Sequence, residues 1–389
     1  MQTIATAGTL RFDVVEYQAR VAGYSRLLGE HGVDVYLGSS PEHMNYLTGF
    51  DPLGLYFFQV VVLRAGDEQP TLLTHKCEAE LARTGCWIND IRLWQHGEDP
   101  IERTLALLAE AGVAPGSVVG LDMDSWYLKA ATVAALRHRL PDTEFVDVTK
   151  LGLEQRMVKS PAEIEYMRAA AHMSDIAFEA AVDAIAPGTT ENEVLAAVQI
   201  ALARAGSEYP ALPFIIGAGA RSGLFHGVPT DNVIGADDPV MLEFAGVKAR
   251  YNCNIVRTVV AGRASAELHD LYRIVTEAFE RGCEAIRPGE PVGTVDAVTR
   301  RVRAGYEDYI PSRCGFGMGL AYPPVWLGLP DLLEGDEHVF VPGMVVSLEP
   351  SIAQYRGISV IYGKNVLVTE TGHEVLQQAP TTIFEVVRT

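Results

Sequence analysis

The chain has 389 residues, which is enough for two domains, or one large domain, with an ample core. Hydrophobic residues make up 48% of the sequence and charged residues 21%, as is ordinary for a globular protein. The formal net charge of −19 argues against nucleic acid or an anionic membrane surface as a partner, and no apolar run approaches the length of a membrane span.

The first part of the chain alternates between helix and strand patterns. Apolar residues recur at helical spacing over 16–30, 101–111 and 128–140, and strand-like runs occupy 33–37, 57–63, 117–121 and 144–148. This alternation predicts an α/β domain over residues 1–155, close to the commonest domain size.

Two features of the sequence bear on location. Residues 1–11 lack both a basic region and an apolar segment, so no signal peptide is predicted. The cysteines are odd in number and scattered, which favours free thiols in a reducing cytoplasm over a disulfide framework. They are Cys77, Cys86, Cys253, Cys283 and Cys314.

The segment Val158-Lys-Ser-Pro-Ala-Glu163 marks the start of a second domain. Ser160 followed three residues later by Glu163 is a capping-box pattern, and Pro161 suits the first position of a helix. A helix is therefore predicted to begin here, and the second domain is predicted to span residues 156–389.

A short motif occurs twice in this second domain. Ile185-Ala-Pro-Gly188 has a counterpart in Ile286-Arg-Pro-Gly289, and each lies between two helical stretches and has a valine seven residues after its proline. The motifs are either two ordinary helix-ending turns, since Gly and Pro end helices generally, or the trace of two related halves. In the second case each half is a helix pair backed by antiparallel strands.

Two glutamates stand in apolar, strand-like sequence. Glu243 lies in Val240-Met-Leu-Glu-Phe-Ala245, and Glu349 lies in Val345-Val-Ser-Leu-Glu-Pro350. A carboxylate in a strand is usually on a solvated face, because burying it without a partner is costly. If both carboxylates converge on one pocket, the pKa of one rises, which gives an acid and a base from the same residue type.

The motifs around these glutamates resemble those of the creatinase/aminopeptidase P/methionine aminopeptidase superfamily. In its metallopeptidase members, Asp, Asp, His, Glu and Glu hold two metal ions. The corresponding positions here are Glu243, Asn254, Phe316, Glu349 and Gly363. Two carboxylates cannot hold a dinuclear pair, and a catalytic ion normally needs about three protein ligands. The resemblance therefore predicts the superfamily's scaffold with no metal and no cofactor.

The resemblance also implies a fold. We expect an α+β architecture in which a C-terminal pita-bread domain, a curved antiparallel sheet with paired helices, follows a smaller α/β domain of the creatinase N-terminal type. Within the superfamily the chain most resembles ectoine hydrolase-like members, through segments at 46–51, 243–246, 250–251 and 319–326. Residues 52–55 and Asn252 depart from that pattern where a substrate would lie, so the superfamily is better supported than the substrate.

Roles for individual residues follow from the same resemblance. His226 falls at a position that creatinase-like enzymes use for proton transfer, so His226, Glu243 and Glu349 are predicted to be catalytic. Which of the three is the general base is left open, as is direct attack by Glu243 on the substrate carbon.

Further residues are predicted to bind the substrate. Tyr322 and Trp326 are either ordinary loop packing or an aromatic wall for a planar cation. Asp51 and Tyr56 belong to the first domain, whose loop lies near the neighbouring subunit's site in the superfamily's homodimers. The remaining predicted contacts are Asn252 and Asn254, whereas Arg257 is expected to brace the sheet.

The expected activity is metal-independent hydrolysis of a non-peptide C–N bond. The expected substrate is a small cationic or zwitterionic amino-acid derivative, ectoine or a related cyclic amidine. The alternatives are a creatinase-like hydrolase of another amidine, guanidino or N-acyl amino acid, an Xaa-Pro-type metallopeptidase, and a non-catalytic binding module. We expect a cytoplasmic homodimer that binds neither nucleic acid nor membrane.

Overall fold

In the computed structural model of the chain, residues 10–387 are described. Residues 1–9, which make up most of the stretch predicted not to be a signal peptide, lie outside the described residues. The contacts divide the chain into two compact units, Met1–Gln155 and Arg156–Thr389, which are the ranges predicted for the two domains.

The first unit alternates helices and strands as the sequence pattern predicts. Its elements are α1 (Val14–Glu30), β1 (Val35–Gly38), α2 (Pro41–Thr48), β2 (Val60–Arg64), β3 (Thr71–His75), α3 (Ala79–Gly85), β4 (Ile91–Trp94), α4 (Pro100–Glu110), β5 (Val118–Leu121), α5 (Ala130–Arg139) and β6 (Glu144–Asp147). Helix α6 (Thr149–Met157) then crosses the boundary between the units. Strand β2 begins three residues later than predicted, because Phe57 lies in a turn where its N–H donates to Gly54 O.

The described strands of this unit form one mixed sheet in the order β4-β3-β2-β1-β5-β6. The pairs β1–β2 and β2–β3 are antiparallel, and the remaining neighbours are parallel. The parallel pairs need helical crossovers, and α3, α4 and α5 lie in the corresponding connections.

The second unit begins with the predicted capping box. Ser160 Oγ accepts from Glu163 N–H, while the Glu163 carboxylate accepts from Ser160 N–H at 2.9 Å. The helices are α7 (Pro161–Ala184), α8 (Glu191–Ala205), α9 (Ala266–Ala285) and α10 (Gly293–Val302). The strands are β7 (Ile215–Ala218), β8 (Pro239–Lys248), β9 (Tyr251–Val260), β10 (Gly315–Gly317), β11 (Gly328–Asp331), β12 (Val345–Leu348), β13 (Ser351–Tyr355), β14 (Ile358–Val368), β15 (His373–Val375) and β16 (Phe384–Glu385).

Ten described strands of this unit form one sheet with the order β11-β10-β12-β14-β9-β8-β7. Strands β13 and β15 also pair with β14, and β16 pairs in parallel with β9. The two helix pairs pack on one face of this sheet and form two apolar cores. One core joins α7 and α8 to β8 and β9, and the other joins α9 to β12 and β14. The opposite face of the sheet carries the polar residues described below.

The repeated motif occupies equivalent places in the two halves of this unit. Gly188 and Gly289 have positive φ angles of 94° and 86°, which suit glycine at the end of a helix. Gly188 N–H donates to Ile234 O at 2.9 Å, and Gly289 N–H donates to Phe340 O at 2.8 Å. Both carbonyls lie five residues before a central strand, β8 or β12. The shared geometry supports two related halves over two independent turns.

The structure bears on the expectations about membrane spans and disulfide bonds. Among the described residues, no helix is both long and apolar enough to cross a membrane. The five cysteines are all free thiols, and the second unit buries Cys253, Cys283 and Cys314.

Candidate active site

Strand alternation places Glu243 on the face of the sheet that carries no helices. Its neighbours Leu242 and Phe244 belong to the core formed with α7 and α8, so the Glu243 side chain points to the other face. We call this the site face. The Glu243 side chain is nearly buried there, with 9% of its residue surface exposed.

A row of residues crosses the site face at right angles to the strands. Ala245 pairs with Asn254 between β8 and β9. Ser347 of β12 pairs with Asn365 of β14 and, on its other side, with Phe316 of β10. Asn365 Nδ2 donates to Asn254 Oδ1 at 2.9 Å, which joins the two parts of the row. Register thus brings together residues that are more than one hundred positions apart.

The side chain of Asn254 lies between the two carboxylates. Its Nδ2 is 3.5 Å from Glu243 Oε1 and 3.2 Å from Glu349 Oε2, so one amide group donates towards both. Ser347 Oγ adds a second donor to Glu349 Oε2 at 3.1 Å. Glu349 immediately follows β12 and is partly exposed. The structure therefore brings the two predicted carboxylates into one site.

The orientation of the Asn254 amide is fixed by a chain of hydrogen bonds that starts at a backbone N–H. Asn365 N–H can only donate, and it donates to Gln377 Oε1 at 2.8 Å. Gln377 Nε2 must therefore face Asn365 Oδ1, at 3.0 Å, and Asn254 O, at 2.8 Å. Because Asn365 Oδ1 accepts from Gln377, Asn365 Nδ2 donates to Asn254 Oδ1. Asn254 Nδ2 then points towards the two carboxylates and donates to them.

The segment that carries Gln377 is held at both sides. Asp175 on α7 accepts from the N–H groups of Gln378, at 2.7 Å, and Ala379, at 3.1 Å. Lys364 Nζ on β14 donates to the carbonyls of Gln377 and Ala379. These hydrogen bonds are buried or partly buried. The fold therefore fixes the chain of side-chain amides without a bound ligand.

Burial raises the pKa values of both carboxyl groups. The pKa of Glu243 rises to about 8, first through burial and then through repulsion from Glu349. Burial raises the pKa of Glu349 to about 7, against the hydrogen bonds from Ser347 and Asn254 and the positive charge of Arg313, which favour the ionised form. Burial and mutual repulsion therefore favour states in which the pair of carboxyls retains a proton near neutral pH.

The donor set does not fit a metal ion. Asn254 turns its amide hydrogens towards the carboxylates, where a cation would have to lie, and its oxygen is already used by Asn365. Phe316 offers no lone pair, and Gly363 offers no side chain. Among residues 10–387, no group of three or more His, Cys, Asp or Glu side chains is arranged to hold a metal.

Gly363 is required by the position of Glu349. A Cβ atom at residue 363 would lie 2.7 Å from Glu349 Cβ and 3.2 Å from its Cα, closer than carbon atoms normally approach. Gly363 O accepts a 2.6 Å hydrogen bond from Arg257 Nη1, whose guanidinium is buried on the opposite side of the sheet against the Tyr362 ring. Arg257 thus braces the sheet through a carbonyl, in the structural role expected for it.

His226 lies on an exposed turn after β7. Its neighbour Phe225 packs beside Met241 in an apolar cluster next to Glu243. No hydrogen bond joins His226 to either carboxylate in the described part of the chain, and its side chain is exposed. Its catalytic role stays a prediction.

The predicted substrate contacts in the second unit are buried. Tyr322 and Trp326 have 0% and 2% of their surface exposed. The Asn252 amide bonds main-chain groups at both ends: its Oδ1 accepts from Ala211 N–H at 3.1 Å, and its Nδ2 donates to Arg250 O at 2.8 Å. These hydrogen bonds fix the end of the β8–β9 hairpin against neighbouring main chain. A binding role for the three residues stays a prediction.

The two contacts predicted in the first unit lie in the connection between α2 and β2. Tyr56 is 77% exposed, and Asp51 is partly buried with its carboxylate 3.8 Å from Arg11 Nη2. Both stay predictions as substrate contacts.

Two residues of the site, Asn365 and Gln377, were not predicted from the sequence. A signal for Asn365 was available, because it lies two residues after Gly363 on one strand and so on the same face. Gln377 carried no such signal, since it follows β15 in irregular chain and is placed by the tertiary contacts of its segment.

The chain belongs to metallopeptidase family M24, whose family model matches residues 165–370. The model of the creatinase/prolidase N-terminal domain matches residues 20–158. These matches confirm the predicted superfamily and its α+β architecture, a pita-bread domain preceded by a creatinase-type α/β domain.

Similar proteins span nearly the whole chain. The ectoine hydrolase of Halomonas elongata is 27% identical over 97% of this chain and 98% of its own length. The Xaa-Pro dipeptidase of Pyrococcus furiosus is 29% identical over 89% and 94%. A solved Xaa-Pro dipeptidase from Bacillus anthracis superposes with a TM-score of 0.83 at 27% identity, covering 96% of this chain and 99% of that one. These relatives are hydrolases, but their names span peptide and non-peptide C–N bonds.

Proposed function

We propose that this protein is a metal-independent hydrolase of a non-peptide C–N bond in a small cationic or zwitterionic amino-acid derivative, with ectoine or a related cyclic amidine as substrate. The observation that carries the proposal is the pair Glu243 and Glu349, bridged by the Asn254 amide at 3.5 and 3.2 Å where family metallopeptidases bind metal. The full-length similarity to an ectoine hydrolase supports the same choice.

The chemistry of an amidine suits such a site. A protonated amidine carbon is already electrophilic, and its N–H groups form charge-assisted hydrogen bonds with carboxylates. It therefore needs less help from a Lewis acid than a neutral peptide carbonyl does. A pair of carboxyls sharing one proton carries one negative charge, which matches a substrate with one positive charge.

The surroundings of the two carboxyls divide their roles. Glu349 receives donors at 3.1 and 3.2 Å and lies near Arg313, whereas Glu243 receives one donor at 3.5 Å. We therefore assign the ionised form to Glu349 and the shared proton to Glu243. Glu349 takes a proton from the attacking water, the hydroxyl adds to the amidine carbon, and Glu243 gives its proton to the leaving nitrogen as the C–N bond breaks. One proton passes from Glu349 to Glu243 before the next turnover.

In the covalent alternative, Glu243 acts as the nucleophile. Its carboxylate would attack the carbon, Glu349 would give the shared proton to the leaving nitrogen as the C–N bond breaks, and water would then hydrolyse the acyl-type intermediate. In a single turnover in H₂¹⁸O, label in the Glu243 side chain would establish the covalent route, because water that attacks the carboxyl carbon of the intermediate leaves ¹⁸O there.

The Xaa-Pro-type metallopeptidase is the main rival, since relatives carry that name. The donor set opposes it, because Asn254, Phe316 and Gly363 supply no ligand in the arrangement described above. A non-catalytic binding module would have no need for two carboxyls buried together at a cost in stability.

The test is a mass-spectrometric screen of ectoine, hydroxyectoine, creatine, N-acyl amino acids and Xaa-Pro dipeptides after chelation of metals. We expect turnover of ectoine or a related amidine by the wild type and by Glu370→Gln, a control at an exposed glutamate beyond β14. Glu349→Gln should lose activity and raise KM, whereas Glu243→Gln should lose kcat with a smaller change in KM.

Three results would contradict the proposal. Turnover that is unchanged in Glu349→Gln would remove that residue from the mechanism. Activity on Xaa-Pro dipeptides that depends on added metal would favour the metallopeptidase. Failure of every compound in the screen would favour the binding module.

A further inference from the structure

A basic side chain, Arg313, lies beside Glu349 at the edge of the candidate active site. Glu349 N–H donates to Cys314 O at 2.8 Å, so Arg313 immediately precedes the residue that pairs with Glu349. The positive charge of Arg313 favours the ionised form of Glu349 and lowers its pKa. Backbone pairing and charge thus both place Arg313 next to this carboxylate.

Two residues hold the Arg313 guanidinium over the site face. Phe316 pairs with Ser347 on one side and with Asp331 of β11 on the other, so the three side chains lie on the same face of the sheet. The guanidinium carbon of Arg313 lies 5.1 Å from the centroid of the Phe316 ring, and Arg313 Nη1 donates to Asp331 Oδ1. The ring and the carboxylate together orient the cation.

These contacts use only part of the guanidinium. It has five N–H donors, and the contact with Asp331 is made through Nη1. Within residues 10–387, Arg313 Nε and Nη2 have no hydrogen-bond acceptor, and neither atom is fully buried. The Arg313 side chain is 26% exposed, and Glu349 is also partly exposed. A ligand can therefore reach both groups from solvent.

The site thus presents opposite charges side by side. Because the carboxyl pair retains a proton near neutral pH, it carries one negative charge, and Arg313 supplies a positive charge next to it. A zwitterion with an amidinium group and a carboxylate matches both charges. A substrate that is only a cation would be repelled by Arg313 and would give its Nε and Nη2 no acceptor.

We propose that Arg313 binds the carboxylate of a zwitterionic substrate whose amidinium group is held by Glu243 and Glu349. The inference rests on the proposed function and selects within it, because it requires a substrate that carries both charges. The Nε and Nη2 edge of a guanidinium offers two parallel N–H groups, which match the two oxygens of a carboxylate. Since Asp331 and Phe316 already orient the guanidinium, little side-chain freedom is lost when the carboxylate binds.

The test compares an acid with its carboxamide, which has nearly the same shape and lacks the negative charge. Ectoine and ectoine carboxamide form the first pair, and if the screen selects another acid, that acid and its carboxamide replace them. Turnover is followed by mass spectrometry. We expect the wild type to prefer the acid in kcat/KM by at least about tenfold, the effect of hydrogen bonds between charged groups.

Substitutions of Arg313 check the assignment. Arg313→Gln should abolish the preference by raising KM for the acid far more than KM for the carboxamide. A change in the ionisation of Glu349 affects both compounds alike, so the ratio of their kcat/KM values reports the contact with the carboxylate. Arg313→Lys keeps the charge without the paired N–H groups and should retain only part of the preference. The control is Arg281→Gln, at an exposed arginine of α9 that pairs with Glu284, and it should keep the wild-type ratio.

The outcomes separate this inference from the proposed function. If the wild type hydrolyses acid and carboxamide equally well, or if Arg313→Gln slows both equally, Arg313 does not bind a carboxylate and the hydrolase proposal stands. If the wild type turns over no compound of the screen, the proposed function fails and this inference fails with it. Thermal unfolding shows whether each variant is folded. If Arg313→Gln is not, Arg313→Lys decides, and a wild-type ratio in that variant would overturn the assignment.

Discussion

Replacing Gln377 by glutamate tests the amide chain that orients Asn254. Gln377 Nε2 donates to Asn254 O and Asn365 Oδ1, at 2.8 and 3.0 Å, and the residue is 1% exposed. In Gln377→Glu the second carboxyl oxygen faces two acceptors, and protonation can satisfy only one of them. Asn365 is then favoured to turn its amide, which drives Asn254 to turn its oxygen towards Glu243 and Glu349.

The magnitude follows from the bonds that are lost. Hydrogen bonds to charged groups are worth about 1.5–3 kcal/mol, so kcat/KM should fall about 10- to 100-fold. The free energy of unfolding should fall by about 1–3 kcal/mol, the cost of one unsatisfied buried polar group. The Asn254 amide lowers the pKa values of both carboxyls, so its loss moves the acidic limb of the kcat/KM profile to higher pH.

The control is Gln378→Glu, the same chemical change one residue later. Gln378 is exposed, and its side chain bonds only the carbonyls of Val375 and Leu376, so activity and pH profile should stay within twofold of the wild type. A ¹³C NMR titration of the glutamate carboxyl carbons follows the pair without any substrate. If both variants show the same pH profile and the same titration, Gln377 does not orient the site.

Three further predictions concern the whole protein. Purified protein should contain no stoichiometric zinc, manganese or cobalt, and activity should survive chelation; one tightly bound ion per chain by elemental analysis would contradict the site described here. The pKa values of Glu243 and Glu349 are raised in the folded state. Between the ordinary pKa range of glutamate and about pH 8, the native protein therefore binds more protons than the unfolded chain does. The free energy of unfolding should fall as the pH rises through this range. In Glu349→Gln, the free energy of unfolding should depend less on pH between about pH 5 and pH 8, as measured by thermal unfolding. An unchanged pH dependence would refute the raised pKa of Glu349. Light scattering should give twice the chain mass of 42.2 kDa, as expected for an isologous homodimer, and a fully active monomer would refute a site shared between subunits.

The parts of the fold that could be predicted are those that depend on local sequence. The helix start at Ser160 was predictable because its cap, its Pro161 and its Glu163 lie within four residues. The strand of Glu243 was predictable from the run of apolar residues around it, although the face it uses followed only from the resemblance. Strand β2 was predicted to begin too early, because aromatic residues in the preceding turn also suit a strand.

The site could be predicted only where a motif marks a position. Glu243, Asn254 and Glu349 stand at such positions, and the structure brings them together. What the sequence did not provide was the reason that Asn254 donates to both carboxylates. That depends on Gln377, which is 123 residues away from Asn254 in the chain and is placed by contacts to α7 and β14.

The close contact at Gly363 also limits which side chains this position can accept. A glutamate placed here would collide with Glu349, whose Cβ lies 2.7 Å from the place of a new Cβ. The Gly363→Glu change therefore cannot be accommodated unless Glu349 moves. We therefore expect that selection for a longer side chain at residue 363 would first have to alter the main chain around Glu349.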